Sequence, residues 1–254
     1  MSKYQQQIEN EIALRGTMTV AELSELLGVS DQTIRRIVKP LEESGKVQKV
    51  HGAIKSVENP MTAPFQIRML HNRRAKAELA SKLVELIEDG QSLAIDTGST
   101  AGFVAQALKV KRNLTIVTNS AYVASTLSMK PGNRVFMAGT QLRDHDGASF
   151  DRTAFATIER MQVDTCILTV GQVHPERGFL VNEQCEADIA KAMSAIADRT
   201  IFAIDHSKFL PAAAVGMVKI SGLASKPEIV TDLPLSKSFR GLLKEADLIV
   251  AKPG

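Results

Sequence analysis

The chain has 254 residues, a net charge of +3, 44% hydrophobic residues and 23% charged residues, which is the composition of an ordinary globular protein. It shows neither a run of about 18 apolar residues nor a leader of the secretory type, so we expect no membrane span and a cytoplasmic location. Two cysteines, Cys166 and Cys185, are too few for a disulfide framework or a zinc cluster. The length allows one large domain, or one small and one medium domain.

The first segment predicts three short helices in close succession. An amphipathic pattern over residues 4–14 marks the first helix. Thr19 and Glu22 have the spacing of a capping box, which opens the second helix. Gly28 permits a sharp turn, and Ser30 caps the third helix. This order is typical of a helix-turn-helix.

The third helix and the strands after it have the chemistry of a DNA-binding surface. Residues 30–56 hold six lysines and arginines against three acids, and they end in an alternating basic hairpin. We therefore predict a winged helix-turn-helix domain over residues 1–57 that binds double-stranded operator DNA, with a structural three-helix module as the alternative. The candidate DNA contacts are Ser30, Gln32, Thr33, Arg35, Arg36, Lys49 and His51.

The next segment changes in character. Pro60 and Pro64 interrupt a stretch without periodicity, so we predict a linker over residues 58–75, with a helix that could begin near Phe65. From residue 76 onwards, near-continuous apolar strands alternate with helices. This alternation predicts an α/β domain over residues 76–254, with a mostly parallel sheet covered on both faces.

The strand ends of that domain carry small and polar residues. The apolar run of residues 92–95 stops at Asp96 and turns through Gly98 into a helical pattern, which predicts an anion site at a helix N-terminus. A carboxylate beside a phosphate indicates a sugar phosphate. An ordinary capped turn is the alternative, and Lys208 is either a counter-ion for the phosphate or a surface lysine. The candidate effector contacts are Asp96, Thr97, Gly98, Ser99, Thr100, Asn119, Gly139, Gly171 and Lys208.

Residues 29–36, together with Leu41, Gly45 and His51, resemble the signature of the DeoR family of bacterial sugar-metabolism repressors. The strand ends, and above all residues 205–209, resemble the effector domain of that family. The resemblance implies a fold similar to ribose-5-phosphate isomerase and glucosamine-6-phosphate deaminase, in which a Gly-Ser-Thr loop and a lysine hold a sugar phosphate. The chain departs from the family pattern at Ile37, Val38, Pro40, Ala53, Ala138, Phe150 and Asp151.

A repressor of a carbohydrate catabolic operon, released from its operator by a phosphorylated sugar or polyol, is the function these patterns predict. A homodimer or homotetramer is expected, because winged-helix proteins pair across two half-sites. A sugar-phosphate isomerase is disfavoured, since Gly171 and Gln172 follow the strand at 163–170 where that family presents acids. An activator with the same effector site stays open. No cofactor, metal or membrane partner is predicted.

Overall fold

A computed structural model of the chain describes residues 3–43, 47–50, 53–56, 65–211 and 216–251. The chain divides into two compact units, residues 1–71 and residues 72–254. Each unit has a hydrophobic core of its own.

The first unit combines helices with a small antiparallel sheet. Its described elements are α1 (Lys3–Arg15), β1 (Thr17–Thr19), α2 (Val20–Leu27), α3 (Asp31–Glu43), β2 (Val47–Val50), β3 (Ala53–Ser56) and α4 (Phe65–Leu70). In the sheet, β3 lies between β1 and β2 and pairs antiparallel with both. Three helices followed by a hairpin confirm the predicted winged helix-turn-helix.

The turn between α2 and α3 forms as its residues predict. The Thr19 hydroxyl accepts a hydrogen bond from the Glu22 N–H at 3.1 Å, and the Glu22 carboxylate accepts one from the Thr19 N–H at 2.7 Å. Gly28 ends α2 in the left-handed conformation with φ of 64°, which glycine adopts without steric cost. The chain then turns sharply into α3, whose Ile34 and Val38 are fully buried against α1 and α2.

Pro40 lies inside α3, and the helix continues through it to Glu43. A proline at this position removes one backbone hydrogen bond of the helix. Its side chain is exposed, whereas the neighbouring Leu41 is buried in the core of the unit. Burial of Leu41 therefore holds the last turn of α3 in place despite the missing bond.

The second half of the segment given as a linker is helical, in agreement with the helix expected near Phe65. Residues 65–70 form α4 and belong to the first unit, and a further helix begins at Arg73. The boundary between the units lies between His71 and Asn72. Two prolines mark only the start of the segment, and residues 57–64 lie outside the described residues.

The second unit alternates strands and helices. Its elements are α5 (Arg73–Glu85), β4 (Ser92–Ile95), α6 (Ser99–Ala107), β5 (Thr115–Thr118), α7 (Ala121–Ser128), β6 (Arg134–Met137), α8 (Arg152–Ile158), β7 (Val163–Leu168), β8 (Gln172–His174), β9 (Gly178–Val181), α9 (Gln184–Ala195), β10 (Ala197–Ala203), β11 (Val218–Lys219), β12 (Glu228–Thr231) and β13 (Asp247–Val250). Short 3-10 helices span Leu108–Val110, His206–Lys208 and Lys237–Lys244.

Seven parallel strands form the main sheet, in the order β13, β12, β10, β7, β4, β5, β6. Successive residues of β4 alternate between two cores, since Ala94 packs in one and Leu93 and Ile95 pack in the other. The sheet is therefore covered on both faces, and the predicted α/β class is confirmed. The carboxyl ends of β10, β7, β4, β5 and β6 share one edge, where ligands collect in such folds.

A second sheet was not predicted. The strands β11, β9 and β8 form it, with antiparallel pairing throughout. These strands have two to four residues each, which is too short for a period of two to stand out in the sequence. The first strand of this sheet follows β7 directly in the chain. The backbone N–H of Gly171, just before that strand, donates a hydrogen bond to the Leu180 carbonyl of β9 at 2.8 Å.

Candidate functional site

The first two turns of α3 carry polar side chains that face solvent, and we call this exposed surface the front of α3. Gln32, Arg35 and Arg36 are exposed on the first two turns of α3. The Ser30 hydroxyl accepts a hydrogen bond from the Thr33 N–H at 3.3 Å and also bonds the Thr33 hydroxyl at 3.0 Å, so Ser30 caps the helix. Both arginines are therefore available to phosphates or base edges, as a recognition helix requires.

The wing lysine is held by the same helix. Lys49 Nζ lies 2.5 Å from Glu42 Oε2, and both side chains are substantially exposed. An exposed ion pair is worth little, so Glu42 holds Lys49 only weakly. His51, the remaining candidate DNA contact, lies outside the described residues.

The turn after β4 has the form of an anion cradle. Asp96, Thr97, Ser99 and Thr100 are buried, and α6 begins at Ser99. Gly98 precedes the helix with φ of 110°, and no side chain caps the helix there. The N–H groups of the first turn lack intrahelical partners and carry partial positive charge. An anion can therefore occupy the place of the missing cap.

Lys76 was missed by the sequence analysis, and the structure places it at this cradle. It projects from α5 with 4% of its surface exposed, and its Nζ donates to Ser99 Oγ at 3.0 Å. A buried ammonium needs negative charge nearby. A signal for Lys76 exists in the sequence, because it aligns with Leu79 and Leu83 on the buried stripe of α5.

Asp205 joins Lys76 to the segment that carries Lys208. It caps the 3-10 helix of residues 206–208, and its Oδ1 accepts a hydrogen bond from Asn72 Nδ2 at 3.3 Å. Burial raises the pKa of Asp205, but the charges of Lys208 and Lys76 and the hydrogen bonds from Ser207 outweigh it and leave that pKa below its usual value. Asp205 is therefore ionised, with both lysines close to it.

The other predicted contacts occupy the neighbouring strand ends. Asn119 is fully buried after β5, and its Nδ2 donates to the Ser149 carbonyl at 3.1 Å. Gly139 has φ of 101°, and a Cβ there would lie 1.9 Å from Ser149 Oγ. A side chain at position 139 would therefore clash with Ser149, so the packing requires glycine there. The N–H of Gly171 already donates a hydrogen bond to the Leu180 carbonyl of the small sheet.

Several buried polar atoms around this edge have no hydrogen-bond partner among the described residues. They include Thr97 Oγ1, Asn119 Oδ1, Ser149 Oγ and Asp205 Oδ2. Buried polar groups are nearly always paired, and unpaired ones at a strand-end cleft indicate a ligand or water. These four atoms follow β4, β5, β6 and β10, so they extend along the same edge of the sheet.

Two family models match the chain. A DeoR-like helix-turn-helix domain matches residues 5–59, and the DeoR C-terminal sensor domain matches residues 71–233. The chain belongs to the DeoR family. It is accordingly a DNA-binding regulator with a sensor domain, and the isomerase alternative is not supported.

Curated DeoR relatives match along almost the whole chain. The HTH-type transcriptional repressor CsqR of Escherichia coli (strain K12) is 29% identical over 242 residues, which cover 95% of this chain and 92% of that protein. The glycerol-3-phosphate regulon repressor of the same organism is 32% identical, with coverage of 91% and 90%. The solved structure of ribose 5-phosphate isomerase A from Neisseria gonorrhoeae is similar at a TM-score of 0.39 and 18% identity, over 53% of this chain and 52% of that chain.

The departures from the DeoR pattern have structural roles. Ala138 is buried in the core, and Ile37 packs partly buried against the core of the first unit. Asp151 caps α8 and accepts hydrogen bonds from the N–H groups of Thr140 and Gln141 at 2.7 and 2.9 Å. These bonds lower the pKa of Asp151. Asp151 thus closes the loop between β6 and α8.

Within the described ranges of this DeoR protein, no helix is long and apolar enough to cross a bilayer. The same ranges contain no group of three or more His, Cys, Asp or Glu side chains placed to hold a metal ion.

Asp96 has an altered proton affinity. Burial raises its pKa from 3.8 to about 7, and the charges of Glu186 and Asp146 add to the rise, against hydrogen bonds from the backbone of Thr97 and Thr169. The folded state therefore binds more protons than the unfolded state between pH 4 and 7. The free energy of unfolding falls as the pH rises through this window and stays lower above it.

We expect Asp96→Asn to raise the free energy of unfolding at pH 8 by about 2 kcal/mol. A shift of roughly 3 pKa units means that ionised Asp96 destabilises the fold by about 4 kcal/mol, which the variant regains. The Asn side chain has one acceptor fewer for the backbone N–H groups, and this loss reduces the gain to about 2 kcal/mol. At pH 4 Asp96 is protonated when folded, so variant and parent should differ little. Urea unfolding at both pH values measures the difference, and an equal effect at both would show that Asp96 is not the group that titrates.

Proposed function

We propose that this DeoR protein represses a carbohydrate catabolic operon, and that a phosphorylated sugar or polyol bound at the Gly98 turn releases it from the operator. The observation that carries the proposal is Lys76, a buried lysine bonded to Ser99 at an uncapped helix N-terminus. A buried cation, free backbone donors and hydroxyls at one turn fit a phosphate group.

Polar groups on either side of the Gly98 turn match the hydroxyl groups of a sugar or polyol. Asp96 accepts hydrogen bonds, and Thr97 Oγ1 and Asn119 Oδ1 are buried atoms without partners among the described residues. Ligand hydroxyls supply both donors and acceptors to such groups. One relative bears the name glycerol-3-phosphate regulon repressor, which agrees with an effector that carries a phosphate.

Control of DNA binding by the ligand needs two arrangements of the protein. We propose a homodimer or homotetramer whose first units occupy two half-sites, with Arg35 and Arg36 on α3 at each. Bound effector favours an arrangement that does not span both half-sites. The named relatives described above are repressors, which favours repression over activation. A DNA partner of this kind places the protein in the cytoplasm.

Electrophoretic mobility of an operator fragment, measured across a panel of sugar and polyol phosphates, tests the proposal. At least one compound should release the DNA from the parent protein. Ser99→Ala and Lys208→Ala should bind the operator normally and respond at least tenfold less to that compound. Lys109→Ala, an exposed lysine of the same unit, serves as the control and should respond like the parent. Loss of operator binding by folded Ser99→Ala would contradict the assignment, as would release by none of the compounds.

A further inference from the structure

An acid-rich cluster joins the loop after β6 to the N-terminus of α9. Arg143 Nη2 contacts Asp146 Oδ2 at 2.5 Å and Glu186 Oε1 at 2.9 Å, and Arg143 Nη1 lies 3.3 Å from Glu183 Oε2. The guanidinium also stacks over the Phe150 ring at 4.0 Å. Three carboxylates therefore share one guanidinium, and the cluster keeps an excess of negative charge.

The backbone ties this loop to the edge of the main sheet. Ser149 N–H donates to the Asn119 carbonyl at 2.8 Å, and Ala148 N–H donates to Asp146 Oδ1 at 3.1 Å. The cluster therefore begins directly beside Asn119, at the end of β5. The charges of Asp146 and Glu186 reach Asp96, directly after β4, where they help to raise its pKa.

The strand order gives the edge two ends of opposite charge. Lys208 follows β10, and Lys76 bonds Ser99 beside β4. The cluster of Arg143 follows β6, which lies two strands beyond β4, or about 10 Å away. A ligand whose phosphate lies at Lys76 and whose other end extends towards β6 therefore meets carboxylates.

Unpaired buried atoms mark this second end as a contact for a ligand. Asn119 Oδ1 is buried and forms no hydrogen bond with the described part of the chain. Arg143 Nη1 is also buried, and its contact with Glu183 Oε2 at 3.3 Å is an ion pair without a hydrogen bond. The Glu186 carboxylate is already engaged, because its Oε2 accepts the N–H groups of Asn182 and Glu183 at 2.9 and 3.3 Å. Asn119 Oδ1 can accept one hydrogen bond from a ligand and Arg143 Nη1 can donate one to it. Hydroxyl groups of a sugar or polyol provide both kinds of partner.

We infer that the effector carries one anionic group only, and that Glu186 and Asp146, through Arg143, exclude phosphorylated sugar acids and bisphosphates from the site. The inference rests on the proposed function, which supplies the phosphate at the Gly98 turn. A hydroxyl donates to Asn119 Oδ1 or accepts from Arg143 Nη1 at no electrostatic cost. A second anion meets more carboxylates than cations there, which lowers its affinity by roughly tenfold or more.

Titration calorimetry of the full chain with matched ligand pairs tests this inference. The pairs are glycerol 3-phosphate with 3-phospho-D-glycerate, D-erythrose 4-phosphate with 4-phospho-D-erythronate, and D-glucitol 6-phosphate with 6-phospho-D-gluconate. Inorganic phosphate serves as a probe of the cationic end alone. In every pair that binds, the member without a carboxylate should bind at least about tenfold more tightly.

Glu186→Gln tests whether Glu186 causes the weaker binding of ligands that carry a carboxylate. Gln fits the helix cap that Glu186 forms, so the fold should persist, and Asp146→Asn is the second variant. Either change should reduce the ratio within a pair to about threefold or less and leave inorganic phosphate binding unaltered. Glu159→Gln removes the same charge from an exposed position and should leave the ratio unchanged.

The outcomes separate this inference from the proposed function. Equal or tighter binding of the carboxylate members overturns the inference, as does a ratio that Glu186→Gln and Asp146→Asn leave unaltered. Binding of inorganic phosphate with no binding of any pair also overturns it, while the phosphate cradle stands. If inorganic phosphate fails to bind as well, the cradle itself is refuted.

Discussion

Lys76→Met should weaken the binding of a sugar phosphate by roughly 100-fold, because the variant loses a charge-assisted hydrogen bond in a buried site. Operator affinity should stay within about twofold of the parent, since Lys76 belongs to the second unit and Arg35 and Arg36 belong to the first. Methionine has a similar length and no charge, so the packing of α5 is retained. Calorimetry with a sugar monophosphate and anisotropy with labelled operator measure the two affinities.

Lys82→Met is the matched control for this experiment. It lies on the same helix, and its Nζ pairs with Glu85 at 2.6 Å on the surface of the unit. We expect this variant to bind the sugar phosphate as the parent does. If Lys76→Met binds the ligand normally while remaining folded, then Lys76 is only a structural partner of Asp205 and Ser99.

The double variant Arg35→Ala and Arg36→Ala should reduce operator affinity by roughly 1,000-fold. Both side chains are exposed on the front of α3, and each arginine contact to a base or phosphate is worth about 1–3 kcal/mol. The single variants separate the two kinds of contact. The variant that loses a base contact relaxes sequence preference, and the variant that loses a phosphate contact weakens all sequences alike and lowers the salt dependence.

Arg15→Ala removes an exposed arginine of the same unit and is the control. Its side chain pairs with Glu11 within α1 at 3.0 Å and is not part of α3. We expect near-parental operator affinity for this variant and unaltered sugar phosphate binding for all of them. A double variant that still binds the operator tightly would mean that α3 is not the recognition helix.

Local rules predict much of this fold from the sequence. The Thr19 and Glu22 capping box and the left-handed Gly28 depend on neighbouring residues only, so their spacing is sufficient. The same holds for β4 and for the helix that begins beyond Gly98, where an apolar run stops at a turn. The parallel sheet follows from repeated strands and helices, each long enough to show its period.

Features that depend on distant residues could not be predicted in this way. Arg143 and Glu186 are 43 positions apart, and nothing near either one announces the ion pair. Lys76 stands in line with Leu79, but its role depends on Ser99, which lies on another element and is not indicated by the residues next to Lys76.

The most direct test of the whole account compares two affinities of the same protein. Operator affinity is measured with and without a saturating sugar monophosphate, and the affinity for that compound is measured with and without saturating operator. If ligand binding at the cradle of the Gly98 turn controls DNA binding, both affinities fall by the same factor, which we expect to be about 10- to 100-fold. A sugar monophosphate that binds the Gly98 turn and leaves operator affinity unchanged would contradict the account.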